Sequence, residues 1–366
     1  MRLFLYLIVV AVLCGCADPT RMLLVPEAGT VGDHQKVVVV TNRARDAAGN
    51  YGGGRAAAFT YLDVGVSIPR DRRPGTVPVS YSNPVPGRHF VLTRSDEIGS
   101  KAAFLSTLRR SLAELAPAER DITIFVHGYN TSFSDGVFRT AQLAHDFGLK
   151  GVAVGFSWPS AAHPLGYSHD RDSVLLARDG LEEMLRDVSR AGARNVVIVG
   201  HSLGAMLVME SLRQMAIANP GLPDRILDGV VLIAPDIDTD LFHAQAGRIR
   251  FLPQPFAIFV SQKDRALMLS SRINGRSNRL GTLDSANSLS DLDVTIVDVT
   301  AFSGPAAQSH MTAVSSPALI ALLSRSRELS TSFARAGQDS RGGLPGVAVT
   351  VSKATQLILS PGLLRN

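Results

Sequence analysis

Short apolar runs rich in valine and isoleucine alternate along the chain with longer segments of helical periodicity. The runs typical of strands cover residues 122–126, 152–156, 196–199, 229–234, 256–260 and 294–299. Between them, apolar residues recur every three or four positions, as in helices that bury one face. Because a strand buried on both faces needs a nearly continuous apolar run, the pattern predicts a mostly parallel sheet with helices on both faces.

The first hundred residues are patterned differently. Residues 36–41 include four consecutive valines, and residues 59–68 alternate well enough for a second strand. Residues 50–55 are glycine-rich and predict a turn, whereas residues 69–86 combine proline, glycine and arginine and predict an extended loop. We therefore expect an N-terminal β extension over residues 36–90.

The extension and the alternating segments together predict one α/β domain over residues 36–325. A helix at residues 312–324 is expected to close it. Residues 16–35 are polar with proline and glycine, which predicts a tether. Residues 326–366 are predicted to form a C-terminal linker and tail, because their first part is rich in serine, arginine and glycine.

The N-terminus has the features of a targeting segment. Met1 and Arg2 precede eleven consecutive apolar residues, 3–13. A membrane-spanning helix needs roughly 20 apolar residues, so the run predicts a signal peptide over residues 1–15. The sequence that follows, Leu13-Cys14-Gly15-Cys16-Ala17, resembles the bacterial lipobox.

That resemblance implies cleavage before Cys16 and lipidation of its side chain. The protein would then be anchored to a membrane at the cell envelope without a spanning helix. In a Gram-negative source, Ala17 after the cysteine would favour the periplasmic face of the outer membrane. A plain secretory signal with incidental cysteines is the alternative.

Composition narrows the possible chemistry. The chain has 366 residues, 45% of them hydrophobic, and 37 basic against 32 acidic side chains. This small surplus, without a dense basic run, gives no reason to expect a nucleic-acid partner. Cys14 and Cys16 are the only cysteines, so the folded part has no disulfide, thiolate ligand or cysteine nucleophile. The scattered histidines predict no metal site, and the absence of phosphate-binding loops predicts no nucleotide cofactor.

Residues 200–204 carry the motif that predicts chemistry. Gly200-His201-Ser202-Leu203-Gly204 fits G-x-S-x-G, follows the strand at 196–199 and opens an amphipathic helix predicted to end near residue 218. A turn from strand to helix must be sharp here, and glycines remove side chains that would collide. The turn would expose the Ser202 hydroxyl above the sheet, next to free N–H groups of the helix N-terminus.

Several local motifs resemble the α/β-hydrolase superfamily of lipase and esterase type. Beside the Ser202 motif they are Phe125-Val126-His127-Gly128-Tyr129-Asn130, Phe156-Ser157-Trp158-Pro159-Ser160, Ala234-Pro235-Asp236-Ile237-Asp238 and Asp264-Arg265-Ala266-Leu267. The resemblance covers residues 120–325 and is closest to a bacterial group of uncharacterised α/β hydrolases. It implies an α/β-hydrolase fold and a Ser-Asp-His triad in that chain order.

Two histidines, His243 and His310, lie after Ser202 in the sequence. His310 follows the last predicted strand of the domain through a loop, where the fold places its base, so we assign the base to His310. Two carboxylates compete for the third position. Asp264 follows the strand 256–260, the usual place, whereas Asp236 follows the preceding strand, which some lipases use. We favour Asp264, which could also cap the next helix.

An oxyanion hole would need two N–H donors. The resemblance implies the backbone N–H of Leu203 and, from the loop after strand 122–126, that of Tyr129. His127 of the His-Gly pair is predicted to brace this loop rather than to act as a second base.

The sequence therefore predicts a serine hydrolase, most consistent with a carboxylic ester hydrolase that acts on a small-molecule or lipid acyl substrate. Ser202 would attack the acyl carbon, His310 would move the proton, and Asp264 would orient His310. An acyltransferase could use the same triad, and a non-catalytic envelope lipoprotein could retain the fold. The sequence does not predict an oligomeric state.

Overall fold

The computed structural model describes residues 22–273, 278–303, 310–317, 319–320 and 346–359. The predicted signal peptide and Cys16 lie outside the described residues. The same holds for most of the predicted linker after residue 325 and for part of the predicted closing helix, 312–324.

One sheet organises the described part of the chain. Its strands are β1 (Asp33–Arg45), β2 (Tyr51–Ile68), β3 (Val91–Ile98), β4 (Asp121–Val126), β5 (Val152–Ser157), β6 (Asn195–His201), β7 (Gly229–Ile233), β8 (Phe256–Val260), β9 (Thr295–Asp298), β10 (Gly346–Val351) and β11 (Ala354–Leu359). Their order is β10-β11-β9-β8-β7-β6-β4-β5-β1-β2-β3. The strands from β11 to β1 in this order are mutually parallel, and antiparallel pairs lie at both edges.

Helices cover both faces of the sheet. They are α1 (Lys101–Ala113), α2 (Phe133–Asp146), α3 (Tyr167–Val188), α4 (Leu203–Ala218), α5 (Leu222–Ile226), α6 (Thr239–Ala246), α7 (Arg265–Ile273) and α8 (Thr312–Ser315). In β1, Val38 and Val40 join the apolar core under α1, α3 and α4, whereas Val37 and Val39 join the core under α2. Such alternation buries both faces of one strand and explains its unbroken valine run.

The predicted fold class is confirmed: a mostly parallel sheet with helices on both faces and an N-terminal β extension. The predicted strand 256–260 and helix 203–218 match β8 and α4. The extension is longer than predicted, because β3 adds a third strand to it. It also continues the central sheet, since β1 pairs in parallel with β5.

The turn predicted at residues 50–55 lies earlier in the chain. The chain reverses at residues 46–50, where an Asp46 carboxylate oxygen accepts the N–H groups of Ala48 and Asn50. The glycines that suggested the turn lie inside β2. A Cβ at Gly53 would lie 2.8 Å from the Cα of Ala161, so the glycine serves close backbone packing rather than chain reversal.

Both predicted terminal segments pack further into the fold than expected. Residues 22–35, placed in the tether, include a buried Ala28, an isolated bridge from Leu24 to Leu92 and the start of β1. Residues 346–359, placed in the C-terminal tail, form the β10–β11 hairpin, and β11 pairs with β9. Pairing with a distant strand, rather than local periodicity, fixes both segments.

Candidate active site

The carboxyl ends of the parallel strands bring the candidate residues to one edge of the sheet. Tyr129 follows β4, Ser202 follows β6, and Asp236 follows β7. Asp264 follows β8, and His310 follows β9. In open parallel sheets this edge is where ligands bind.

Ser202 adopts a backbone conformation that side chains rarely take. Its φ is 54° and its ψ is −122°, between the end of β6 and the first residue of α4. A Cβ at Gly200 would lie 2.8 Å from the Cα of Ala205, and one at Gly204 would overlap carbonyl oxygens of the β4 end. The two glycines of the motif therefore permit the turn, and the strained residue is the one that bears the hydroxyl.

Asp264 and His310 are in direct contact. The Nδ1 atom of His310 lies 2.7 Å from a carboxylate oxygen of Asp264, which is fully buried. The other oxygen of Asp264 accepts the N–H of Leu267 and so caps α7. The carboxylate is thus held on both sides, and the contact at Nδ1 leaves Nε2 of His310 as its remaining ring nitrogen.

Asp236, the alternative carboxylate, is committed to other partners. One of its oxygens accepts the Tyr167 hydroxyl at 2.8 Å, and the other accepts the Ser270 hydroxyl at 2.8 Å and lies 3.3 Å from the guanidinium of Arg279. No hydrogen bond or ion pair joins Asp236 to His310 among the described residues.

His310 lies beside the residue that precedes Ser202. The imidazole centroids of His201 and His310 are 4.8 Å apart, and Nε2 of His201 lies 3.3 Å from the His310 carbonyl oxygen. Within the described part of the chain, the Ser202 hydroxyl forms no hydrogen bond, to His310 or to any other group. Catalytic hydrogen bonds are often long without substrate and tighten in its complex.

The two predicted oxyanion donors belong to the strand-to-helix turn at Ser202, which we call the elbow, and to the loop packed against it. The N–H of Leu203 is the first of α4, and neither it nor the N–H of Tyr129 has an acceptor among the described residues. A Cβ at Gly128 would lie 2.8 Å from the Cβ of Ser202, so the loop that carries Tyr129 is packed against the elbow. The arrangement leaves both N–H groups available for an oxygen bound there.

A buried carboxylate fixes the rest of this loop. Asp170, on α3, accepts the N–H of Asn130 at 3.1 Å and the Ser160 hydroxyl at 2.6 Å. The Ser160 oxygen in turn accepts the N–H of Thr131 at 3.1 Å. Sequence analysis did not single out Asp170, which lies in the first turn of α3. A charged residue at the start of that helix was the available signal.

His127 and His201 are both buried next to the elbow. Burial lowers the pKa of His127 to about 3, and the nearby Arg43 charge acts in the same direction. Burial lowers the pKa of His201 well below its ordinary value, with a further contribution from His310. Trp158, fully buried, stacks on His127 and donates its indole N–H to the His127 carbonyl oxygen. Both imidazoles are therefore neutral parts of the scaffold at neutral pH.

Mild acid is expected to destabilise the protein because of these two histidines. The unfolded chain binds their protons near pH 6.5, whereas the folded chain does not. Their contribution is therefore fully present above about pH 6.5. As the pH falls below this value, the free energy of unfolding should drop by about 1.4 kcal/mol per pH unit for each histidine. For His127 this loss should continue towards about pH 3. Urea unfolding at pH 7, 6 and 5 measures this slope.

Two substitutions give the controls for the acid effect. His127→Gln should roughly halve the slope, whereas His34→Gln, at an exposed position of β1, should leave it unchanged. His145 affects stability in a different pH range. Its hydrogen bond to Asp146 raises its pKa, so its contribution to the free energy of unfolding is lost as the pH rises above about 6.5. A stability that stays constant between pH 7 and 5 would contradict neutral His127 and His201.

Comparison with protein families matches residues 100–327 to the α/β hydrolases of unknown function known as DUF900. The chain belongs to this family. The predicted α/β-hydrolase relationship is confirmed by the match, which begins after β3 and so leaves the N-terminal β extension outside. Comparison with curated proteins finds no match.

Solved structures show weaker similarity to this family member. Lipase B of Aspergillus fumigatus is 13% identical, with 72% of this chain and 64% of that chain covered and a TM-score of 0.37. An esterase of Pyrococcus furiosus is 10% identical, with 74% and 92% covered and a TM-score of 0.28. The family match, not these similarities, supports the fold assignment.

The described residues contain neither a metal-binding cluster nor a membrane-spanning helix. Within those ranges, no group of three or more histidine, cysteine, aspartate or glutamate side chains is placed to hold a metal ion. No helix in the same part of the chain is long and apolar enough to cross a membrane.

Proposed function

We propose that this DUF900 protein is a serine hydrolase that cleaves carboxylic esters. The observation that carries the proposal is the 2.7 Å contact of His310 with Asp264, beside the strained turn that bears Ser202. A hydroxyl is a poor nucleophile until a base removes its proton, and a neutral imidazole oriented by a carboxylate is suited to this task.

In the proposed first step, the Ser202 oxygen bonds to the acyl carbon while Nε2 of His310 takes its proton. The negative oxygen that forms accepts the N–H groups of Leu203 and Tyr129. When the C–O bond to the alcohol breaks, His310 returns the proton to the leaving oxygen. Asp264 accepts from Nδ1 of His310 throughout and stabilises the imidazolium.

The second step repeats this chemistry with water. His310 takes a proton from water as the water oxygen bonds to the acyl carbon, and then gives the proton to the Ser202 oxygen as that bond breaks. The products are a carboxylic acid and the free enzyme. An ester requires less of this site than an amide does, because an alkoxide leaves more readily than an amide nitrogen.

We further propose that the reaction takes place at the cell envelope, with the protein held by a lipid on Cys16. This part rests on the lipobox-like sequence, residues 13–17, and on the apolar run before it. The tether between Cys16 and the first packed residues would leave the folded domain close to the membrane surface.

Labelling of fractionated cells with a biotinylated fluorophosphonate tests both parts. We expect the probe on Ser202, identified by peptide mass spectrometry, and the labelled protein in the membrane fraction. Label on another residue, or no label on the folded protein, would contradict the serine mechanism. Labelled protein in the soluble fraction would keep the mechanism and contradict the anchor.

A further inference from the structure

Arg43, near the end of β1, is a fully buried cation with an extensive set of acceptors. Arg43 is only 2% exposed to solvent. Its Nε donates to the Ser157 hydroxyl at 2.9 Å, and one terminal nitrogen donates to the carbonyl oxygens of Gly52 and Ser160 at 3.0 and 2.9 Å. Burial lowers the pKa of Arg43 to about 9, which still leaves it charged at neutral pH.

The other terminal nitrogen of Arg43 faces the loop after β4. It donates to the carbonyl oxygen of Thr131 at 2.7 Å and lies 3.3 Å from Nε2 of His127. Arg43 thus contacts the residues at both ends of the segment 127–131, whose middle residue is Tyr129.

The contact with Arg43 selects the tautomer of His127. Since a guanidinium can only donate, its contact with Nε2 of His127 favours the tautomer whose ring proton lies on Nδ1. In that tautomer Nδ1 donates to the carbonyl oxygen of Gly128, which lies 2.9 Å away. In the other tautomer, the proton on Nε2 could reach the Trp158 carbonyl oxygen, 3.1 Å away, but this proton would also face the N–H groups of Arg43. Nδ1 would then be an acceptor that faces another acceptor, the Gly128 carbonyl oxygen. That carbonyl already accepts the N–H of Ser160.

The bond from His127 fixes the peptide group between Gly128 and Tyr129. In a trans peptide the C=O and N–H point in opposite directions. With the Gly128 oxygen held by the imidazole, the Tyr129 N–H is turned away from His127, and it has no acceptor among the described residues. A tautomer change at His127 would release this peptide group to rotate.

We propose that Arg43 is a positioning residue for acyl transfer, which holds His127 in the Nδ1–H tautomer and so keeps the Tyr129 N–H directed at the acyl oxygen. This inference rests on the proposed function. It makes the N-terminal β extension part of the active site, although the family match begins only at residue 100.

Arg43→Lys in the full-length protein tests the proposal. A lysine keeps the positive charge, but its single nitrogen cannot reach all the acceptors that the three guanidinium nitrogens of Arg43 contact. We expect kcat for p-nitrophenyl acetate to fall by roughly 10²-fold, as for loss of one oxyanion donor, with KM changed less than threefold. Inhibition by phenylboronic acid, whose adduct places an oxygen at the same donors, should weaken by a similar factor.

Arg45→Lys is the matched control. Arg45 lies two residues along the same strand, but its side-chain partners are Tyr51 and Glu97 rather than residues of the loop. We expect wild-type kcat and wild-type inhibition from this variant. A folded Arg43→Lys variant with wild-type kcat would overturn the proposal, as would a loss confined to KM.

Nitrogen-15 NMR of the histidine-labelled wild-type protein provides a second test that does not depend on a variant that folds. We expect His127 to carry its proton on Nδ1 at neutral pH, and a proton on Nε2 would overturn the proposal. If the wild-type protein shows no Ser202-dependent ester hydrolysis, the proposed function fails instead. The NMR result separates the two failures.

Discussion

Replacement of Ser202 with alanine is expected to lower kcat for p-nitrophenyl acetate by about 10⁶-fold, as is typical when the nucleophile of a triad is removed. The hydroxyl is the atom that forms the acyl bond in the proposed mechanism. Since it makes no hydrogen bond to a described residue, its removal should leave the fold intact. Initial rates at saturating ester, together with thermal unfolding of both proteins, measure the two effects.

Ser211→Ala is the matched control for this substitution. Ser211 lies on the same helix, α4, and its hydroxyl oxygen lies 2.9 Å from the Leu207 carbonyl oxygen and 3.1 Å from that of Arg178, either of which can accept its proton. The Ser211 variant should retain wild-type kcat. A Ser202→Ala protein that is folded and hydrolyses the ester at the wild-type rate would refute the proposed nucleophile.

Asp264→Asn is expected to lower kcat by roughly 10⁴-fold with little change in KM. The asparagine can present an N–H where Nδ1 of His310 now meets a carboxylate oxygen, which would favour the tautomer with its proton on Nε2. That tautomer cannot accept the Ser202 proton. The loss should be greatest at neutral pH, where the neutral imidazole must act as the base.

Asp236→Asn distinguishes the two carboxylates. Among the described residues, no hydrogen bond or ion pair joins Asp236 to His310, so its substitution should lower kcat far less than Asp264→Asn does. It should cost about 3 kcal/mol of stability or more, because it removes the negative partner of Arg279, itself only 4% exposed. Steady-state kinetics of both variants measure the change in kcat, and urea unfolding measures the change in the free energy of unfolding. A kcat loss greater for Asp236→Asn than for Asp264→Asn would reverse the assignment.

Local sequence pattern predicted some strands and helices of this chain correctly and others not. Both β8 and the helix from Leu203 to Ala218 follow the predicted bounds, because continuous and helical apolar periods differ clearly over those lengths. The glycines of residues 50–55 misled the prediction, since glycine serves close packing in β2 as well as chain reversal. The apolar pattern of residues 346–359 is too short to predict their structure, because the pairing of β11 with β9 fixes their place in the sheet.

Local sequence pattern likewise identified some residues of the candidate site and not others. The strand-to-helix turn identified Ser202, and the chain order of the α/β-hydrolase pattern identified His310. Two aspartates fitted that pattern, and Asp264 was favoured over Asp236 because it follows the strand after which the carboxylate usually lies. The resemblance to α/β hydrolases covered only residues 120–325, and so Arg43 was passed over, although an arginine this close to a buried valine run is unusual.

The sequence by itself determined the strands of the central parallel sheet, the helix after Ser202 and the position of the candidate nucleophile, because periodicity and the requirement for glycine at a sharp turn act over a few residues. Only the tertiary structure decided that Asp264 meets His310, 46 positions away, and that Arg43 reaches His127, 84 positions away. These contacts depend on the order in which the strands pair. Strand order reflects the packing of the whole sheet, which no local period encodes.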